Sequence, residues 1–394
     1  MKKIFFMTLA IVILGFGEVS AAHYVVGEVN NSVDGVLANG HKIMLWNPTY
    51  GQSDNLTDII GPSGNSGVDN YYMIDCSALL HPCNVGNILM LRVLNTGDNH
   101  NSGNVSVTVT GAGYDVAPTL ILNSPINVTS VTVDDSITSP PNQIDLITAS
   151  TRLVTCTSVM HDPDGGRVYN ASARFFYSGS TYLAIDDNNT HYTNSSCFVN
   201  SSYGAKNLSQ VICTFNVWYY ANSGNWSCVM KGYDNLSMPG NGSASTFVNP
   251  LLSVGVQSKI NFGLVFAKNV SNEVSVNVTN YGNVKVNLSL YGYGGTPGDN
   301  LAMNCTKGSG IPINNERYNL TQSNPGNLTL SQFDSTYDNL SSNYTVRNFG
   351  LSKRTNNMEN NAVNFTYWRI YLPPSVSGNC TGSVVFGAST SAGV

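Results

Sequence analysis

The chain has 394 residues, and 18 Lys and Arg against 23 Asp and Glu give it a formal net charge of -5. Charged residues make up only 10%, against roughly 25% in ordinary soluble proteins. That balance leaves no basic footprint for nucleic acid, and Asn, Ser, Thr, Gly and Tyr carry the polarity instead.

Residues 1–22, MKKIFFMTLAIVILGFGEVSAA, join Lys2 and Lys3 to a short apolar run from Ile4 to Phe16 and to small residues at Ser20, Ala21 and Ala22. This is the pattern of a cleaved export signal peptide. The apolar run is short for a membrane span, so an uncleaved anchor is the lesser reading. No later stretch is apolar enough to cross a bilayer, and VVFGASTSAGV at the C-terminus has no hydrophobic tail for a helix or lipid anchor. The expected location is extracellular, at the cell surface, with no membrane span in the mature chain.

Export makes disulfides the natural use of the 8 cysteines. They fall into three even groups, which predicts Cys76–Cys83, then Cys156–Cys228 with Cys197–Cys213, then Cys305–Cys380. No C-x-x-C or neighbouring His pair supplies a metal-ligand set. The groups suggest three modules, 23–122, 123–249 and 250–394, each of ordinary domain size.

In the first module, turns at Asp34-Gly35 and Asn39-Gly40 separate short β runs. NILMLRV reads as a buried strand, and Val105, Val107 and Val109 alternate as in a half-exposed one. The G-x-V, D-G and A-N-G pattern at its start resembles prealbumin-like, carboxypeptidase-regulatory-type modules, which implies a spacer or stabiliser.

In the second module Val211, Cys213, Phe215, Val217 and Tyr219 share one strand face, and Trp226, Cys228 and Met230 share another. Gly224-x-Trp226-x-Cys228, at its distance from Cys156, resembles the second-cysteine strand of immunoglobulin-like domains. Trp226 stands where that family has its corner tyrosine, whose phenol hydrogen bond an indole is not expected to make. No Trp follows Cys156 at the position where that family packs one on the disulfide, which leaves Tyr169 or Phe175 to substitute. VMHDPDGG resembles the strand end and turn of repeated modules in archaeal surface proteins.

In the third module Val274, Val276 and Val278, the turn Asn280–Asn283, then Val284, Val286, Leu288 and Leu290 predict a hairpin. N-F-G-x-V followed by V-x-V-x-N-x-G-N-V resembles hydin-like immunoglobulin modules and camelysin-type matrix proteins. Residues 316–349 read as a long, sequon-rich loop insertion with weak strand signals. Trp368, Ile370 and Leu372 share a face of the closing segment.

No catalytic motif is present: there is no H-E-x-x-H, G-x-S-x-G, phosphate loop or Cys with a His context. His23, His41, His81, His100, His161 and His191 read as solvated loop residues. Asp162, Asp164, Asp186 and Asp187 are weak calcium candidates, although turn and loop roles explain them better. The chain holds 22 N-x-[ST] sequons, and Asn55, Asn104, Asn170, Asn225, Asn277, Asn304 and Asn364 are named as glycosylation candidates. The expected protein is all-β: tandem, disulfide-stapled, immunoglobulin-like β-sandwiches after a signal peptide. Its whole organisation resembles archaeal secreted surface glycoproteins. The expected function is a non-catalytic structural or assembly component of the cell envelope or extracellular matrix, without a cofactor. Its expected partners are copies of itself, other surface proteins or glycans. The alternative is an adhesin, with Trp218, Tyr219, Tyr220, Tyr291 and Tyr293 available to stack on sugars. A filament variant has the segment AHYVVGEVN pair with a neighbour's sheet edge; the preferred reading makes it strand one of its own module.

Overall fold

The computed structural model describes residues 21–136, 143–356 and 362–390. The expected signal peptide lies outside them, apart from Ala21 and Ala22. The regular structure of the described chain is almost wholly β-strand, distributed over several sheets and bound by four disulfides.

In the N-terminal part, alternating residues close two sheets over one core. One sheet runs Tyr71–Asp75, Tyr24–Asn30, Tyr114–Val116, with Leu120–Ile121 also on the first strand. The other runs Asn55–Ile59, Lys42–Trp46, Ile88–Leu94, Val105–Thr108. Val25, Val29, Ile43, Leu45, Leu89 and Leu91 meet between them. Gly27 is required here, because a Cβ would lie 2.3 Å from the hydroxyl of buried Tyr72. Tyr24–Asn30 is hydrogen bonded on both edges. The segment considered for pairing with a neighbour is therefore an inner strand of its own sheet.

The central part is a two-sheet sandwich. Phe198–Asn200, Leu208–Trp218, Thr151–His161 and Asn127–Asp134 form one sheet. Gln143–Ile144, Pro239–Val248, Gly224–Tyr233, Asn170–Tyr177 and His191–Asn194 form the other. This order, with a disulfide joining the two sheets, is that of an immunoglobulin-like sandwich. Phe175 lies opposite Cys228 in the register and is fully buried, whereas Tyr169 is 80% exposed. Phe175 thus takes the packing place that the sequence left open between the two.

The C-terminal part corrects two sequence readings. Val274–Asn280 and Val286–Tyr293 do not form a hairpin. The first pairs with Val254–Val256 and Val363–Ile370, the second with Thr345–Leu351 and Ser383–Ser389, in different sheets. The intervening chain arches across the core, tied by buried Asn280, whose side chain accepts from Gly282 N and donates to the carbonyls of Val284 and Leu351. Alternation identifies the buried faces but is the same for an arch and a hairpin.

The loop reading of 316–349 also fails. It contains strand Glu316–Asn319, paired with Val363–Ile370, and helix Leu330–Thr336, opened by a Thr329/Gln332 capping box. Fully buried Arg369 organises this segment by donating to Tyr337 Oη (3.1 Å) and to the carbonyls of Ser271 (2.7 Å), Asn324 (2.6 Å) and Gly326 (2.8 Å). A small third sheet of Ile311–Pro312, Leu301–Lys307 and Ser377–Thr381 lies beside it.

Candidate functional site

The four disulfides join Cys76 to Cys83, Cys156 to Cys228, Cys197 to Cys213 and Cys305 to Cys380. Cys156–Cys228 spans the central sandwich with a sequence separation of 72. Chain-entropy reasoning makes such a closure worth about 4 kcal/mol. Against it packs Trp226, stacked at 4.8 Å on Phe175. Its indole N–H donates to the Asn222 carbonyl at 2.7 Å. This corrects the expectation from the sequence: the indole binds upstream backbone as the corner phenol of immunoglobulin folds does.

The central sandwich is held at opposite ends by its neighbours. At the end formed by the turns after Thr151–His161 and Gly224–Tyr233, Asn123 donates its N–H to the Asn101 carbonyl of the N-terminal part (2.6 Å) and its Nδ2 to Asp234 Oδ2 (2.5 Å), while Ser124 N donates to Asp164 Oδ2 (2.6 Å) within 123–249. Burial raises the Asp162 and Asp164 carboxyls above the usual range, and nearby Asp234 adds to this. At the far end, Lys353 Nζ donates to Asn189 Oδ1 (2.8 Å), the Tyr220 carbonyl (3.3 Å) and Asn222 Oδ1. Burial brings this lysine down to about 8, partly opposed by the charge of Asp187. Arg354 beside it donates to Tyr219 Oη at 3.2 Å and lies over the Tyr220 ring. Asn283 accepts from Leu251 N and donates to the Asn249 carbonyl, bracing the linker.

These contacts place several of the residues singled out in the sequence. Tyr219 and Tyr220 are buried in the junction, so they offer no free stacking face. Tyr291 instead meets Tyr344 at 4.2 Å and Tyr293 at 6.2 Å, and Tyr344 is 66% exposed. Asp186 accepts from Thr193 and pairs with His191. Asp187 accepts three backbone N–H groups and the Thr190 hydroxyl. Among the described residues no group of three or more His, Cys, Asp or Glu side chains is placed to hold a metal. The seven named sequon asparagines are all exposed.

His81 is an exposed loop residue, as expected, but the other five histidines are buried or half-buried. His23 pairs with Asp115 (2.6 Å), His41 with Asp98 (2.7 Å), His81 with Asp54 (3.0 Å), His100 with Asp34 (3.1 Å) and His191 with Asp186 (2.7 Å). His41, His100 and His191 are buried, and His161 meets Asn207. Burial pushes the Asp115 carboxyl up, but the Thr110 hydroxyl and the His23 ring outweigh it and hold that carboxyl below the usual range. Most of these partners are far apart in sequence, 92 residues for His23 and 57 for His41, so no local spacing announces them.

No family model and no curated protein matches the chain. Among solved structures, the major pilin subunit BcpA of Bacillus cereus is similar at 7% identity over 92% of this chain and 88% of that one, with a TM-score of 0.28. The major pilin SpaD of Corynebacterium diphtheriae gives 10% identity over 69% and 72%, with a TM-score of 0.25. The CsuC–CsuE chaperone–tip adhesion subunit complex of Acinetobacter baumannii gives 10% over 62% and 96%, with a TM-score of 0.29. At scores this low the likenesses carry no argument. Among the described residues no helix is long and apolar enough to cross a membrane.

Proposed function

We propose that the protein is a non-catalytic, exported surface component that works as a structural or assembly element of the cell envelope or extracellular matrix. The observation that carries this reading is the serial fixing of the central sandwich. On one side Asn123 ties the Asn101 carbonyl of the N-terminal part to Asp234; on the other, Lys353 of the C-terminal part is bonded to Asn189 and Asn222. Such junctions resist bending, and the staples within each part resist unravelling. We take 23–122, 123–249 and 250–394 as its modules and the exposed sequon asparagines as glycan sites, the organisation of the archaeal surface glycoproteins that the sequence resembles. Sugars would then supply the solubility that a chain with few charges lacks. Negative-stain electron microscopy of the purified protein tests the reading. Fibres or lattices are expected; isolated particles at high concentration count against self-assembly.

A second reading, an adhesin, has one observation in its favour: the half-open cluster of Tyr291, Tyr293 and Tyr344, a surface suited to stacking on sugar rings. Binding on a glycan array that disappears with Tyr344→Ala would favour it over the structural role.

A further inference from the structure

The C-terminal part has an opening that the described residues leave unfilled. Ser383–Ser389 bonds to Val286–Tyr293 on one side. Val384, Phe386 and Ala388 face the core, yet all seven residues of the strand stay half-exposed. Residues 257–266, where a covering strand would run, are irregular, and among the described residues no backbone hydrogen bond joins them to Ser383–Ala388. Between the two lies a cavity of about 570 Å³, within the range of built ligand sites (roughly 300–1,000 Å³).

Burial orders its lining. Ile311, Ile370 and Glu316 are 2%, 3% and 2% exposed and form the floor. Phe262, Met303 and Phe386 are half-buried and form the walls. Gln257, Asn261, Asn379 and Thr381 are exposed at the rim. Glu316 is an unexplained expense at this floor. No described group donates a hydrogen bond to its carboxyl, and burial alone lifts it to about 8. A buried carboxyl without a partner is costly and is retained where something supplies one.

We propose that the cavity receives a lysine side chain, carried on an extended segment of a partner chain that pairs with the edge of Ser383–Ala388 beside the cavity and sets its ammonium on Glu316. The apolar walls suit the four-carbon stem, and the carboxyl suits a compact point charge. The polar side chains of the lining, Gln257, Lys259, Asn261, Asn379 and Thr381, are exposed at the rim, while Glu316 shares the buried floor with Ile311 and Ile370. The half-exposed edge strand supplies the main-chain pairing, and the cavity reads the side chain. The proposal holds whether or not the protein assembles with itself.

Titration calorimetry on the full protein tests it with three probes: the peptide acetyl-Val-Thr-Lys-Thr-Val-amide, its norleucine analogue, and n-butylammonium. The lysine peptide is expected to bind at least tenfold more tightly than either of the others. Glu316→Gln, close in shape and free of charge, is expected to erase the preference over norleucine. Thr381→Trp, at the exposed rim, is expected to block all three. Equal binding of lysine and norleucine peptides would overturn the role of Glu316. Butylammonium matching the peptide would overturn strand pairing. No binding by any probe at millimolar concentration would overturn the site, while leaving the electron-microscopy test of assembly untouched.

Discussion

Replacing Trp226 tests whether an indole has taken over the corner role in the central sandwich. Its ring lies within 4.8 Å of Phe175 and 6.0 Å of both Tyr177 and Tyr192, and its N–H caps the Asn222 carbonyl. Trp226→Phe keeps an aromatic plate but leaves that buried carbonyl without a donor, at a cost of about 1–3 kcal/mol. The smaller ring also leaves a void beside the disulfide, adding on the order of 1 kcal/mol. The expected loss is therefore about 2–4 kcal/mol. Trp226→Tyr, which restores the immunoglobulin-type donor, is expected to recover the hydrogen-bond share. Because the chain has several cores, one melting curve would mix them. Amide hydrogen exchange in Thr151–His161 and Gly224–Tyr233 reads the central sandwich directly. Unchanged protection in Trp226→Phe, or Tyr no better than Phe, would refute the reasoning. The same substitution should also loosen Lys353, since the side chain of Asn222 holds that ammonium.

Arg369→Met should cost about 3–5 kcal/mol, since it strips three carbonyls and the Tyr337 hydroxyl of a buried charged donor; limited proteolysis should then cut first between residues 320 and 336. Asp115 is held below its ordinary value in the folded state, so its stabilisation is present above the unfolded value of 3.8 and is lost as pH falls through the lower folded one. Asp115→Asn should therefore weaken the N-terminal part at pH 7 and approach wild type near pH 2 in urea titrations followed by hydrogen exchange. Glu316 has the opposite sign: the native state keeps a proton that the unfolded chain releases between 4.5 and about 8, so stability falls across that window. Glu316→Gln should match wild type near pH 4 and exceed it by on the order of 4 kcal/mol at pH 9, read by thermal melts at both values.

Alternation made the strands legible. Val211, Cys213, Phe215 and Val217 read as one buried face and are buried, because a strand's period of two is a local property. The even grouping of the cysteines is also visible in one dimension, and each sulfur finds its partner within its own group. Illegible were the choices made at chain crossings. Whether Asn280–Asn283 folds back or arches over depends on which sheet Val286–Tyr293 joins, and that is decided by Leu351 and Ser389 far along the chain. The loop reading of 316–349 failed for a related reason: its anchor, Arg369, lies outside it and acts on carbonyls, which every residue possesses.

The same logic explains why the sites proposed here carry no motif. The junctions are written in Asn side chains, backbone carbonyls and one lysine, a vocabulary that an Asn-rich chain uses everywhere. Glu316 looks in sequence like any surface glutamate beside an arginine. It becomes conspicuous only when the register sets it opposite Ile370, on the buried face of its strand. There, solvent no longer supplies the partner that every carboxylate has in water. Binding chemistry that needs a fixed charge is best held on a floor such as this one, where the sheet positions the carboxyl and an incoming side chain would complete it.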